Sequence, residues 1–121
     1  MAAPNIVNVT TITGKLTPYA VTNTLASTGV ANATSSGKLL RVNSIIASNV
    51  LGSAASTLSV TVYRGTTHTY LVKTLPVPAN ASVVILGKAD GGLNLEEGDT
   101  LYAQAGASSA VEMLVSYDEI S

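Results

Sequence analysis

The sequence predicts an all-β protein: a single-domain antiparallel β-sandwich, jelly-roll-like, with about eight short strands. Composition is the first reason. Of 121 residues, 46% are hydrophobic but only 11% charged, against a usual charged share of about 25%. Uncharged polar groups must therefore cover the surface, and Ser and Thr supply them at roughly a quarter of the chain. Thr is β-branched, and Ser and Asn compete for backbone hydrogen bonds, so this mixture disfavours helices. The second reason is period-2 alternation of apolar and polar residues in several segments. The third is the recurrence of turn residues every 8–12 residues or so, the spacing of a sandwich or jelly roll.

Taken in order, Ile6 to Thr13 and Tyr19 to Leu25 are Thr- and Val-rich extended segments separated by Gly14 and Pro18, both suited to sheet edges. Residues 1–13 read as an N-terminal arm or edge strand, and 14–121 as the sandwich. The arm reading competes with pairing inside the same domain, which sequential strand pairing favours. Ala26 to Gly37 is small and polar and reads as a loop. Leu39 to Ile46 carries apolar residues on both faces, as a strand between two layers does.

Thr57 to Tyr63 alternates most cleanly, with Leu58, Val60 and Val62 on one face. Arg64-Gly65-Thr66-Thr67 turns the chain into Thr69–Leu75, where Tyr70 and Val72 share a face by simple alternation. Pro76 and Pro78 lack N–H donors, so Pro76 to Asn80 marks a crossing to the other sheet. Val83 to Leu86 reads as a buried strand. Leu93 and Leu95, then Leu101, Ala103 and Ala105, alternate on either side of a corner at Glu96-Glu97-Gly98-Asp99. Val111, Met113, Val115 and Tyr117 form the apolar face of the last strand.

Several function classes fall away. With no Cys there is no disulfide framework, thiolate metal site or cysteine nucleophile. A net charge of −1 gives no footprint for nucleic acid or an anionic membrane. No apolar stretch approaches the ~18 residues of a bilayer span. The start, Met1 to Asn5, lacks the basic and apolar regions of a signal peptide, so the expectation is synthesis in a cytoplasm without secretion. No motif calls for a cofactor.

Little in the chain points to catalysis. His68 is the one histidine; it sits beside a turn, and no Gly-x-Ser-x-Gly elbow accompanies it. Glu96, Glu97 and Asp99 form a weak candidate for a hard cation such as calcium. A solvated corner, with Gly98 supplying the backbone conformation and Asp99 bonding to it, accounts for them more simply. Three glycosylation sequons begin at Asn8, Asn32 and Asn80; without a signal peptide they stay unmodified. The five Tyr are scattered along the chain. All six basic residues precede Ala89 and all seven acids follow it, a segregation that aligns partners only if it survives folding.

Three runs carry a resemblance. Gly37-Lys38-Leu39-Leu40-Arg41-Val42-Asn43-Ser44-Ile45-Ile46-Ala47-Ser48-Asn49, Val60-Thr61-Val62-Tyr63-Arg64-Gly65 and Leu71 to Ser82 resemble small virion structural proteins of tailed bacteriophages. The ending from Leu95 through Ile120 adds to the likeness, which is greatest with proteins of cyanobacterial phages. The resemblance covers most of the chain from Gly37 onward and rests on short motifs. It implies a virion component, and a stand-alone domain fits a head decoration, or cement, protein better than a fibre. Such proteins commonly form homotrimers that hold major capsid protein subunits together at the capsid surface. Ile6, Val7, Val9, Val21 and Leu25 would then serve as trimer or capsid contacts if edge strands expose them. The alternative is a tail-fibre, neck or spike module that binds the host surface through loops such as 26–37. An enzyme ranks far behind both.

Overall fold

The computed structural model describes residues 11–87, 92–107 and 110–121. Among them are nine strands and no helix: β1 (Ile12–Val21), β2 (Ala26–Ala31), β3 (Leu39–Asn49), β4 (Ser56–Arg64), β5 (Thr67–Val77), β6 (Ser82–Leu86), β7 (Leu93–Leu95), β8 (Asp99–Ala105) and β9 (Val111–Ile120). They form two antiparallel sheets packed as a β-sandwich. One has the order β1-β9-β3-β6, with β7 also on β3; the other has the order β2-β8-β4-β5. β6 pairs with Ile45–Ser48 and β7 with Leu40–Val42, so together they fill one edge position. Early and late strands thus interleave in both sheets, the order of a jelly roll.

The alternation of β9 and β8 builds the core. Val111, Met113, Val115 and Tyr117 face inward from the first sheet, and Leu101, Ala103 and Ala105 from the second. Leu40, Val42, Ile45 and Ala47 of β3 and Leu58 and Val60 of β4 complete it. With neither Phe nor Trp in the chain, the interior is almost wholly aliphatic. Its fixing therefore relies on interdigitation and on a few buried polar side chains.

Two asparagines supply much of that polar fixing. Asn32 donates through Nδ2 to the carbonyls of Lys38 (2.8 Å) and Leu95 (2.9 Å), tying the end of β2 to β7. Asn49 donates to the carbonyls of Ala54 and Val77, each at 2.9 Å, and accepts from the Leu51 N–H. At the β4–β5 hairpin, Arg64 pairs with Thr67, leaving a two-residue loop of Gly65 and Thr66. Gly65 at the first loop position has φ +64°, the conformation a type II′ turn requires and glycine adopts without strain.

Four expectations are corrected. Gly14 and Pro18 do not divide β1, because an edge strand can turn a missing N–H toward its open side. At the start of this edge strand, Thr11 exchanges backbone hydrogen bonds with Ser121 at 3.0 and 2.9 Å, and Ile12 and Thr13 pair with β9. The expected loop over 26–37 contains β2, since pairing with β8 buries Thr28 and Val30 and overrides composition. Val83 to Leu86 is a strand but lies at an edge, with Val84 65% exposed. Finally, Tyr70 and Val72 point to opposite faces. β5 bulges between its pairings with Thr61 and Val60, and the extra residue there, Leu71, reverses the alternation.

Asn49→Ala strands buried carbonyls, the Val77 oxygen among them, and is expected to lower stability by about 2–3 kcal/mol. Urea denaturation against the unaltered chain measures this; a loss under about 0.5 kcal/mol contradicts the assigned role.

Candidate functional site

Of the three carboxylates at the β7–β8 corner, Glu96 and Asp99 converge on one guanidinium and Glu97 points elsewhere. Arg64, at the end of β4, takes Asp99 in a two-pronged contact: Nε to Oδ1 at 2.7 Å and Nη2 to Oδ2 at 2.6 Å. Asp99 is fully buried, and its Oδ2 also accepts the Glu96 N–H at 2.9 Å. Gly98 supplies the positive φ that the corner needs, +91°, but the corner is not the solvated one expected, because Asp99 is buried against Arg64. Glu96 reaches the same guanidinium at 3.1 Å, while Glu97 turns away and accepts the Gly37 N–H at 2.8 Å. A guanidinium thus occupies the place a cation would need. No group of three metal-ligating side chains occurs among the described residues.

The charge segregation of the sequence is undone by folding. Glu119 on β9 meets Lys15 of β1 at 3.0 Å and Lys38 at 2.9 Å, and Arg64 meets Asp99 and Glu96. The hydrogen bonds from Lys38 and then Lys15 hold the Glu119 carboxyl below its usual range. Basic early strands neighbour acidic late ones, so among the described residues Lys15, Lys38 and Arg64 each pair with an acid from the late part of the chain.

What remains are two outer faces of different chemistry. On the five-stranded sheet, register aligns Pro18 (β1), Leu114 (β9), Ile46 (β3) and Val84 (β6) in one row across four strands. Leu114 is 45% exposed, and Leu16, one step along β1, is 60% exposed. Beside the row lies a hollow of about 350 Å³ bounded by Pro18, Ala20, Ser48, Glu112 and Leu114. Contiguous exposed aliphatic side chains in a low-charge chain mark a surface suited to another protein.

The outer face of the four-stranded sheet is aromatic instead. Tyr63 on β4 pairs with His68 on β5, while Thr61 pairs with Tyr70 on β5 and Tyr102 on β8. The rings gather closely: Tyr63 and His68 lie 4.4 Å apart between centroids, Tyr63 and Tyr102 5.3 Å, His68 and Tyr102 5.0 Å. Thr61 Oγ1 lies 2.9 Å from His68 Nδ1 and fixes the imidazole beneath. His68 is accordingly part of a ring cluster, rather than a lone turn residue.

Of the residues expected as contacts, Val21 belongs to the core at 1% exposure and has no surface to offer; it closes the inward face of β1. Leu25 is half-buried just before β2. Ile6, Val7 and Val9 lie outside the described residues. The exposed aliphatic row and the ring cluster were both missed in the sequence, because each is assembled by register between strands far apart in the chain. Asn32, in one of the sequons, is buried and doubly bonded. No helix among the described residues is long and apolar enough to cross a membrane. Comparison with protein-family models, curated proteins and solved structures finds no match.

The Arg64 hydrogen bonds and the Glu96 N–H hold the Asp99 carboxyl below its ordinary value despite burial. Its stabilising effect is therefore present above the unfolded value of about 4 and is lost as pH falls through the lower folded value. Asp99→Asn is expected to cost about 2 kcal/mol at pH 7, less than a wholly buried pair because Arg64 is largely exposed. The deficit should shrink at about pH 2–3. Urea titrations at the two pH values measure both, and an equal deficit at each contradicts the ion-pair account.

Proposed function

We propose that this chain is a non-catalytic structural protein of a tailed-phage virion, a head decoration protein. It docks on the capsid surface as a homotrimer and stabilises contacts between major capsid protein subunits. The observation that carries the reading is the aliphatic row formed by Pro18, Leu114, Ile46 and Val84, with Leu16 alongside. The resemblance of the sequence to virion proteins gives that surface its partner.

The energetics favour a symmetric arrangement. Removing on the order of 300 Å² of aliphatic surface from water contributes about 7 kcal/mol, while association costs an estimated 4–15 kcal/mol. One copy on one site therefore binds weakly. Three copies that grip one another and the shell share the entropic cost, and avidity supplies the remaining strength. Glu112, at the rim of the hollow, is exposed and has no ion pair among the described residues; it gives the contact a site for a partner's cation.

A second reading, a fibre, neck or spike module that binds the host surface, is favoured by the aromatic cluster on the opposite sheet. It differs in which face is engaged and in the partner.

Light scattering followed by incubation with undecorated heads of the parent phage tests the first reading. The expected result is a trimer that adds stoichiometrically. Leu114→Glu, a substitution at an exposed position expected to change stability by no more than about 0.5 kcal/mol, should lower head occupancy at least about tenfold. A protein that ignores heads, or a folded Leu114→Glu variant that adds normally, contradicts it.

A further inference from the structure

We propose that the outer face of the four-stranded sheet is a saccharide-binding site, with the rings of Tyr63, His68 and Tyr102 as its stacking platform and a neutral oligosaccharide as its ligand. This goes beyond capsid attachment and uses the opposite side of the sandwich.

Cross-strand aromatic pairs also stabilise sheets, so the case rests on what the rings leave unused. Tyr63, His68 and Tyr102 are all only half-buried. Among the described residues no hydrogen bond ties any of the Tyr63, Tyr70 or Tyr102 hydroxyls to the rest of the chain. The Thr61 contact engages His68 at Nδ1, which leaves Nε2 available to a ligand. The neighbours of the rings in register are Thr100 beside Tyr63 and Ser27 beside Tyr102, both short and hydroxylated, so nothing tall walls off the platform on that side.

A sugar matches this combination. The C–H face of a pyranose packs on an aromatic ring, while its hydroxyls need directional donors and acceptors at the rim. Phenol hydroxyls, an imidazole nitrogen and Ser and Thr hydroxyls provide them. The three rings are inclined to one another at 39°, 48° and 78° with centroids 4.4–5.3 Å apart, so they form a faceted cluster and not a flat plane, with room for about one sugar unit on a ring face. A protein partner of the kind suited to the other sheet would meet no aliphatic row here. Single-stranded nucleic acid also stacks on aromatic rings but needs a basic groove to follow its backbone. The net charge is −1, and Arg64 is paired with Asp99 and Glu96. Lys73 has no ion pair among the described residues but lies over Tyr70, 5.2 Å from its centroid and outside the three-ring cluster, so the cluster itself suits a neutral saccharide over an acidic one.

The test is an amide-shift titration of the intact protein with cellotriose, chitotriose and maltotriose, with hexathymidylate as a comparison. At least one trisaccharide should saturate with millimolar affinity, moving resonances on β4, β5 and β8 and leaving β1 and β6 unmoved. Tyr102→Ala should weaken it at least about tenfold. His68→Ala, a second variant on a different strand, should weaken it too, so that misfolding of one variant does not leave the question open. The proposal is overturned if no trisaccharide shifts these strands at about 20 mM, if folded variants bind unchanged, or if hexathymidylate alone binds. It is also overturned if Tyr102→Ala loses attachment to heads while no saccharide binds, which would make the rings a protein contact.

Discussion

The whole sandwich depends on its last two strands taking central places. β8 lies between β2 and β4, and β9 between β1 and β3, so neither sheet is continuous until the C-terminal fifth of the chain has entered it. The core follows from that insertion. The inward residues of β8 and β9 occupy the centre of each layer, with Leu101, Ala103 and Ala105 from one sheet and Val111, Met113 and Val115 from the other in one buried cluster. Most contacts join residues distant in sequence, which makes loop-closure entropy a large obstacle to folding and predicts slow folding for the chain's size.

The same interleaving sets the electrostatics. A chain with its bases in the first three quarters and its acids in the last quarter would seem built to be bipolar. Because each sheet places late strands beside early ones, Lys15 and Lys38 reach Glu119, and Arg64 reaches Asp99. Three of the basic side chains are consumed in these pairs, and the row on one face and the rings on the other are built of uncharged side chains, with Glu112 and Lys73 beside them. One face is aliphatic and the other aromatic and hydroxylated, and they point in opposite directions. A protein attached through the first presents the second outward.

Strict alternation was legible wherever one face of a strand is core and the other solvent, as in β4 and β9. Legibility failed where a strand's identity depends on its partner. β2 is Ser-, Thr- and Gly-containing and extended only because β8 pairs with it, and β1 runs through Pro18 because its outer edge is open. The bulges of β5 depend on register with β4, so the reversal between Tyr70 and Val72 has no local signal. The corner at Gly98 and Asp99 was readable because its chemistry is local; that Arg64 lies opposite was not. Tyr63 and Tyr102 are separated by 39 positions, and only the β4–β8 pairing makes them neighbours. The buried Asn32 and Asn49 had no local signal: their roles follow from standing at the ends of β2 and β3, where carbonyls of distant segments need donors.

The central claim is that the aliphatic outer face of the β1-β9-β3-β6 sheet is the face that meets the capsid. Electron cryomicroscopy of undecorated heads incubated with the protein tests it directly. The account predicts density for three copies around a three-fold position, with Leu114 and Val84 against neighbouring subunits and the Tyr63–Tyr102 face toward solvent. Density with the aromatic face against the shell, or heads that carry no added density at saturating protein, would contradict it.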